Sequence, residues 1–245
     1  MQELAVLASG ALAAQRRFNA TADNVANAST VGYRRLKPDF QEMVSGRSKS
    51  ASGNGTSYVA DRGILMDASQ GTFSNTGNPF DLAIGGDGYF AINVNGNTQY
   101  TRRGQFVENS EGQLVTPEGY PLLDNAGAPF QLPTDAREFR VSEDGTISTE
   151  QGTIGQIGIF SFSPEQQTGL IRAGTTSYIA GPNAAPTVLE NPSVKQGMLE
   201  ASNVNAVTEM VDMNLASQAY QNSLKLLKTM EDTEANAIST LGKTN

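Results

Sequence analysis

The stretch ELAVLASGALAAQRRFNATADNVANA, residues 3–28, decides the fold. Its apolar and small residues recur at Leu4, Leu7, Ala11, Ala14, Phe18, Thr21, Val25 and Ala28, an alternation of three and four held over about three and a half heptads. That is the spacing of a coiled-coil seam. The helix is expected to stop between Asn27 and Gly32, where Asn, Ser, Thr and Gly cluster and Gly32 can take a positive φ. At the other end, Glu200 to Leu241 has neither Gly nor Pro. There Val204, Val207 and Val211, then Leu224, Leu227, Glu231, Glu234, Ile238 and Leu241 continue the spacing. Ser202 or Asn203 is the expected N-cap. A few large apolar side chains cannot offset the ordering of a 25-residue helix by themselves. The two ends must therefore zip against each other, against other chains, or both.

All ten prolines lie between Pro38 and Pro192, and only Gly10 and Gly242 fall outside Gly32–Gly197. This turn-rich middle reads as short strands. Phe80, Leu82 and Ile84 alternate before Gly85-Gly86-Asp87-Gly88, and Tyr89 to Val94 follows, closed by the hairpin signal Asn95-Gly96. Further strands are expected at 99–107, 113–116, 138–141, 146–149 and 154–162, with Asp144-Gly145 as another turn. From Val44 to Phe73 periodicity is lost among Gly and Ser, which reads as an extended connector. The fold class is thus α+β: N- and C-terminal helices pairing as a coiled coil, a central small antiparallel β domain, and a connector. Residues 1–35 and 198–245 form the inner coiled-coil domain, 36–78 the connector and 79–197 the β-rich outer domain.

Composition removes whole classes of chemistry. The 245 residues hold no Cys, His or Trp, so a Ser-His-Asp triad, a Cys nucleophile and an imidazole- or thiolate-bound metal are excluded. A formal charge of −8 repels nucleic-acid phosphates, and no Lys/Arg run exceeds two. The longest mostly apolar stretch, Leu4 to Ala14, is too short to span a bilayer, and basic residues follow it instead of preceding it, the wrong order for a secretory signal. No cofactor or metal site is expected. Gly85-Gly86-Asp87-Gly88 precedes a strand, not a helix, and reads as a tight turn instead of a phosphate loop. The rival from another class is a carboxylate-based hydrolase of cell-wall glycan using Asp61, Asp67 or Asp87. A secreted binding module is the third reading, and it leaves the seams unexplained.

Three blocks carry a family resemblance. Ser9-Gly10-Ala11 to Gln15, with Asp23-Asn24-Val25-Ala26-Asn27 and Thr30-Val31-Gly32-Tyr33-Arg34-Arg35, resembles the N-terminal signature of the bacterial flagellar rod and hook family, Asn-Asn-Leu-Ala-Asn then Thr-x-Gly-Tyr/Phe-Lys/Arg. Gln70-Gly71-Thr72-Phe73, Asp81 to Phe90, Tyr100-Thr101-Arg102-Arg103-Gly104, Gly112 to Thr116 and Asp144-Gly145-Thr146 are similar to its core blocks. Gln196 to Asn205, with Glu209-Met210-Val211 and Met213, is similar to its C-terminal signature. The chain departs from the family at Asp23, Asn214, Gln218 and Gln221, losing a possible ion pair at the last two positions. The resemblance implies a non-enzymatic axial component of the flagellum, closest to the proximal-rod members, with distal-rod members as the alternative. It implies helical assembly with copies of itself and other axial proteins in the periplasmic rod, after passage through the flagellar export apparatus without a cleaved signal. Its implied assembly residues are Leu4, Leu7, Ala11, Ala14, Phe18, Asn24, Val25, Asn27, Asn203, Asn205, Val207, Val211, Tyr220, Leu224, Leu227, Ile238 and Leu241. The four asparagines near the helix ends are expected to act as caps.

Overall fold

The computed structural model describes residues 2–45, 56–133 and 139–242. Helix α1 spans Gln2–Ala26, and strands β1 (Leu36–Ser45), β2 (Thr56–Met66), β3 (Phe73–Asn75), β4 (Leu82–Gly85), β5 (Tyr89–Val94) and β6 (Asn97–Thr101) follow. Next come β7 (Val107–Glu108), β8 (Leu114–Val115), β9 (Phe139–Val141), β10 (Thr146–Thr149), β11 (Gly152–Gln156) and β12 (Ile159–Ser161). The short helix α2 (Pro164–Gln167) leads to β13 (Leu170–Arg172), β14 (Ser177–Ala180), β15 (Thr187–Val188), β16 (Ser193–Gln196) and β17 (Met198–Glu200), and the chain ends in α3 (Ala206–Gly242). The architecture is α+β with a helix at each end and antiparallel sheets between. Two compact units partition these elements: residues 1–26, 36–67 and 205–245 form the first, residues 27–35 and 68–204 the second.

In the first unit α1 packs against α3 and against the β1–β2 ribbon. Arg17 meets Asp212 at 3.4 Å and Asn24 meets Glu209 at 3.0 Å, so the two helices run in opposite directions. The expected connector over 36–78 is in large part a paired ribbon: β1 and β2 pair from Leu36↔Met66 to Ser45↔Thr56, with a bulge at Asp39/Phe40 beside Gly63, whose φ is 113°. Pro38 argues against a strand in a sequence reading. In a two-stranded ribbon each strand is an edge, so a missing N–H can face outward at no cost. The Gly- and Ser-rich residues 46–55 of the expected connector lie outside the described residues.

The second unit is built on a six-stranded antiparallel sheet, ordered β13-β14-β6-β5-β12-β15. Asn95 (φ 53°) and Gly96 (φ 86°) form the two-residue turn joining β5 to β6, in the left-handed region that Asn and Gly tolerate best. Because side chains alternate along a strand, β5 buries both faces. Phe90 and Ile92 enter a core with Phe106, Leu114, Leu122, Ile147 and Ile157. Tyr89 lies on the other face, with its ring against Phe162 and Tyr178, while Tyr100 stacks edge-on with Phe160 and Phe162. The stretch expected as one strand over 154–162 is divided at Gly158, where a Cβ would lie 2.5 Å from the Asp124 carbonyl oxygen.

Burial pushes the phenols of Tyr89, Tyr100 and Tyr178 above their ordinary pKa. In the unfolded chain the same groups ionise near pH 10. Their contribution to stability is therefore complete below about pH 10 and is lost as the pH rises toward the raised folded values. An alkaline spectrophotometric titration is expected to show these three phenols ionising together with loss of the near-ultraviolet circular dichroism.

Candidate functional site

Two polar junctions and one exposed apolar stripe organise the residues that the sequence singled out. The first junction is in the helical unit. Asn24 is wholly buried on α1. Its Oδ1 accepts from the Leu36 N–H at 2.8 Å, while its Nδ2 donates to the Leu36 carbonyl at 3.0 Å and to Glu209 Oε2 at 3.0 Å. The side-chain amide thus reproduces a strand-like pairing with the first residue of β1 and ties it to the first turn of α3. Glu209 is 1% exposed, and burying a carboxylate requires such a partner. Asn24→Ala is expected to destabilise this unit by about 1–3 kcal/mol, the cost of leaving buried polar groups unpaired. Faster hydrogen exchange at the Leu36 amide checks it.

The N-cap of α3 is Asn205, not Ser202 or Asn203. Its Oδ1 accepts from the N–H groups of Val207 (3.1 Å) and Thr208 (3.2 Å), which are among those a helix leaves unpaired at its start. Asn203 serves the second unit instead, accepting from the Arg35 N–H at 2.7 Å and donating to the Ser69 carbonyl at 2.8 Å. Asn27 closes the turn after α1, accepting through its carbonyl from Thr30 N–H and through Oδ1 from the Thr30 hydroxyl.

The second junction lies in the β-rich unit, where the segment 27–35 meets β17. Glu200, 1% exposed, receives Arg34 Nη2 (2.8 Å) and the Gly71 N–H (2.8 Å) on Oε1, and Arg102 Nη1 (3.4 Å) on Oε2. Its backbone carbonyl accepts from the Gly32 N–H at 2.8 Å. Arg34 also donates to the Ser69 carbonyl, and Arg102 to the carbonyls of Gly86 (2.7 Å) and Ile84 (3.3 Å). The Arg102 guanidinium sits 5.0 Å from the centre of the Tyr89 ring, a cation–π contact. Burial, then the like charge of Arg34, lowers the Arg102 pKa, and Glu200 opposes both. Gly32 has φ 70°, and a Cβ there would lie 2.4 Å from the Arg103 nitrogen, so only glycine lets this segment pass so close. Arg34, Arg102, Glu200 and Glu209 were not among the expected assembly residues. Each lies inside a quoted motif block, and that was the signal available for them.

The seam on α1 is covered: Ala11 is buried, and Leu7, Ala14, Phe18 and Val25 are partly so. On α3 the covered side shares Tyr220 and Leu227 with the expected residues and differs at the rest of the described ones. Glu209, Met213, Ala216, Tyr220, Ser223 and Leu227 are covered at three-four spacing, whereas Val207 (72%), Val211 (56%) and Leu224 (44%) stand exposed. Both sides of α3 carry apolar residues, so hydrophobic spacing alone does not choose between them. The choice falls to the buried Glu209 and to the small Ala216, which lets the helices approach. Val207, Val211 and Leu215 (54%), at successive four-residue steps, and Leu226 (54%) beyond them form an apolar stripe on the side of α3 away from Glu209 and Ala216. The side chains of Leu4, Ile238 and Leu241 lie outside the described residues.

The acidic residues of the hydrolase reading fall in separate settings. Asp67 is paired with Lys37 at 2.6 Å in the first unit, Asp87 lies in an exposed turn of the second, and the Asp61 side chain is outside the described residues. Among the described residues no group of three acidic side chains is placed to hold a metal ion, and no helix is long and apolar enough to cross a membrane.

Three family models match the chain: a flagella basal body rod protein model over residues 4–34, the flagellar hook protein FlgE/F/G D1 domain over 83–149, and the flagellar basal body rod FlgEFG protein C-terminal over 195–240. The flagellar basal-body rod protein FlgF of Mesorhizobium japonicum is 36% identical over 240 residues, 98% of this chain and 97% of that protein. The FlgF of Rhizobium meliloti is 35% identical over the same shares. The flagellar basal-body rod protein FlgG of Bacillus subtilis is 32% identical over 89% of this chain and 90% of its own. With its N-terminal helix, β-rich middle and C-terminal helix each matched in order, the chain belongs to the flagellar basal-body rod protein family.

Proposed function

We propose that this chain is a structural subunit of the flagellar basal-body rod, in its proximal part, and that it assembles helically through its terminal helices and transmits torque for motility. The observation that carries the assembly reading is the exposed stripe of Val207, Val211, Leu215 and Leu226 on a helix whose other side is already occupied by α1. A contiguous apolar face on an otherwise polar helix marks a surface meant to be covered. The antiparallel pairing of α1 with α3 and the three-four spacing of their covered residues support a coiled coil. The 37 residues of α3 exceed the 25 of α1, a length that suits α3 to continue the layer with neighbouring subunits. Leu7, Ala11, Ala14, Phe18 and Val25 from α1, with Tyr220 and Leu227, form the inner seam in this reading, and Val207, Val211 and Leu224 face other subunits.

Full-length likeness to rod proteins named FlgF supports the proximal position, with the distal rod as the alternative because FlgG relatives align nearly as well. The partners are then copies of itself, other axial proteins and the export apparatus, and the location is the periplasmic rod. No catalytic role enters this reading, since the arrangement offers joints and a docking face instead of a reactive group. A chain beginning at Asn27 after an initiator methionine tests it. This truncation spares the whole β-rich unit, so its near-ultraviolet circular dichroism is expected to persist while rod assembly and motility are lost. Rods that form normally from the truncated chain would refute the assembly role of α1.

A further inference from the structure

Within the β-rich unit, between the segment 27–35 and the β5–β6 hairpin, lies a cleft of about 370 Å³, in the size range of small-molecule sites. Such clefts are usually lined by apolar side chains. Here most lining residues carry a hydroxyl or an amide, and their methyl and methylene groups leave the lining about as apolar as it is polar. Gln99, Thr175 and Tyr120 line the cleft, and among the described residues the Gln99 amide and the Thr175 and Tyr120 hydroxyls make no hydrogen bond within the chain. The ions in the lining, Arg103 and Glu118, are bonded to each other at 2.5 Å, so the cleft presents no net charge. Ile92 and the Tyr120 ring supply its apolar part.

We propose that this cleft binds a neutral, polyhydroxylated ligand, a saccharide. A sugar ring carries hydroxyls that both donate and accept, which suits an amide and two hydroxyls that also do both. Its C–H face suits an aromatic ring and an aliphatic side chain. An anion would have to compete with Glu118 for Arg103, and a cation with Arg103 for Glu118, so a charged ligand gains nothing there.

The test is an amide-shift titration of the isotopically labelled full chain with maltotriose, triacetylchitotriose and inorganic phosphate. At least one of the two sugars is expected to shift the amides of Gln99, Tyr120 and Thr175 in a saturable way, and phosphate is expected not to. Gln99→Ala and Tyr120→Ala are each expected to weaken binding about three- to tenfold, the loss of one neutral hydrogen bond. Ile171→Ser, on the exposed β13 edge, is expected to leave it unchanged. Thr175→Val gives the same readout if Tyr120→Ala loses its fold. The proposal is overturned if neither sugar produces saturable shifts at tens of millimolar, if the cleft variants bind as the parent does, or if phosphate binds in their place. The experiment uses the unassembled chain, so its failure leaves the rod reading standing.

Discussion

Glu200→Ala is expected to destabilise the β-rich unit by about 3–5 kcal/mol, the cost of breaking a buried ion pair from one side. The carboxylate lies between two guanidinium groups, Arg34 and Arg102, that are themselves 1% and 3% exposed. Removing it strands two buried cations and frees the Gly71 N–H. Domains of this size are stable by only about 5–15 kcal/mol, so the loss would consume a large part of the total. The surface pair Arg17–Asp212 is of another kind, being 53% and 25% exposed, and pairs in water contribute little. Urea unfolding of the variant, followed by the near-ultraviolet signal of the buried tyrosines, measures the effect. Because the Glu200 carboxylate ties β17 to the segment 27–35 through Arg34, the same variant is expected to speed amide exchange at Gly32, whose N–H donates to the backbone carbonyl of residue 200 that this ion pair keeps in place.

The second large effect is expected on assembly, not on stability. Val207→Gln, Val211→Gln and Leu215→Gln combined replace three exposed residues with a polar residue of good helix propensity, so the isolated chain should unfold as the parent does, within about 0.5 kcal/mol. In a rod the same three side chains would each contribute about 1.5–3 kcal/mol of burial per subunit, lost at every copy. Cells carrying only the triple variant are therefore expected to be non-motile and to lack rods, despite normal levels of folded protein. A variant that assembles normally would show that this face stays in water.

Much of the fold was legible in the residues. The extent of α1 followed from three-four spacing that gives out at the Asn, Ser, Thr and Gly cluster beginning with Asn27, and the β5–β6 turn followed from Asn95-Gly96, since both signals are local. The β1–β2 ribbon was missed because Pro38 and a bulge interrupt its alternation. β16 and β17 were missed for another reason: they pair with β4 and β3, more than a hundred residues away, and Lys195↔Ala83 or Met198↔Asn75 leaves no mark in a short window. The joints were legible only as motif blocks. Arg34 and Glu200 read as ordinary charged residues until the fold buries them together. On α3 the packing near its start rests on a buried glutamate and an alanine, with Tyr220 and Leu227 covered further along, whereas Val207, Val211 and Leu224 stand exposed, a division that apolar spacing alone does not encode.

The central claim is that the exposed face of α3 is covered by neighbouring subunits in a rod. A cryo-electron microscopy map of basal bodies containing this chain tests it most directly. The account predicts Val207, Val211 and Leu215 packed against helices of adjacent subunits, with α1 still on the Glu209 and Ala216 side. A map in which these three residues line open solvent, or in which the chain is absent from the rod, would contradict it.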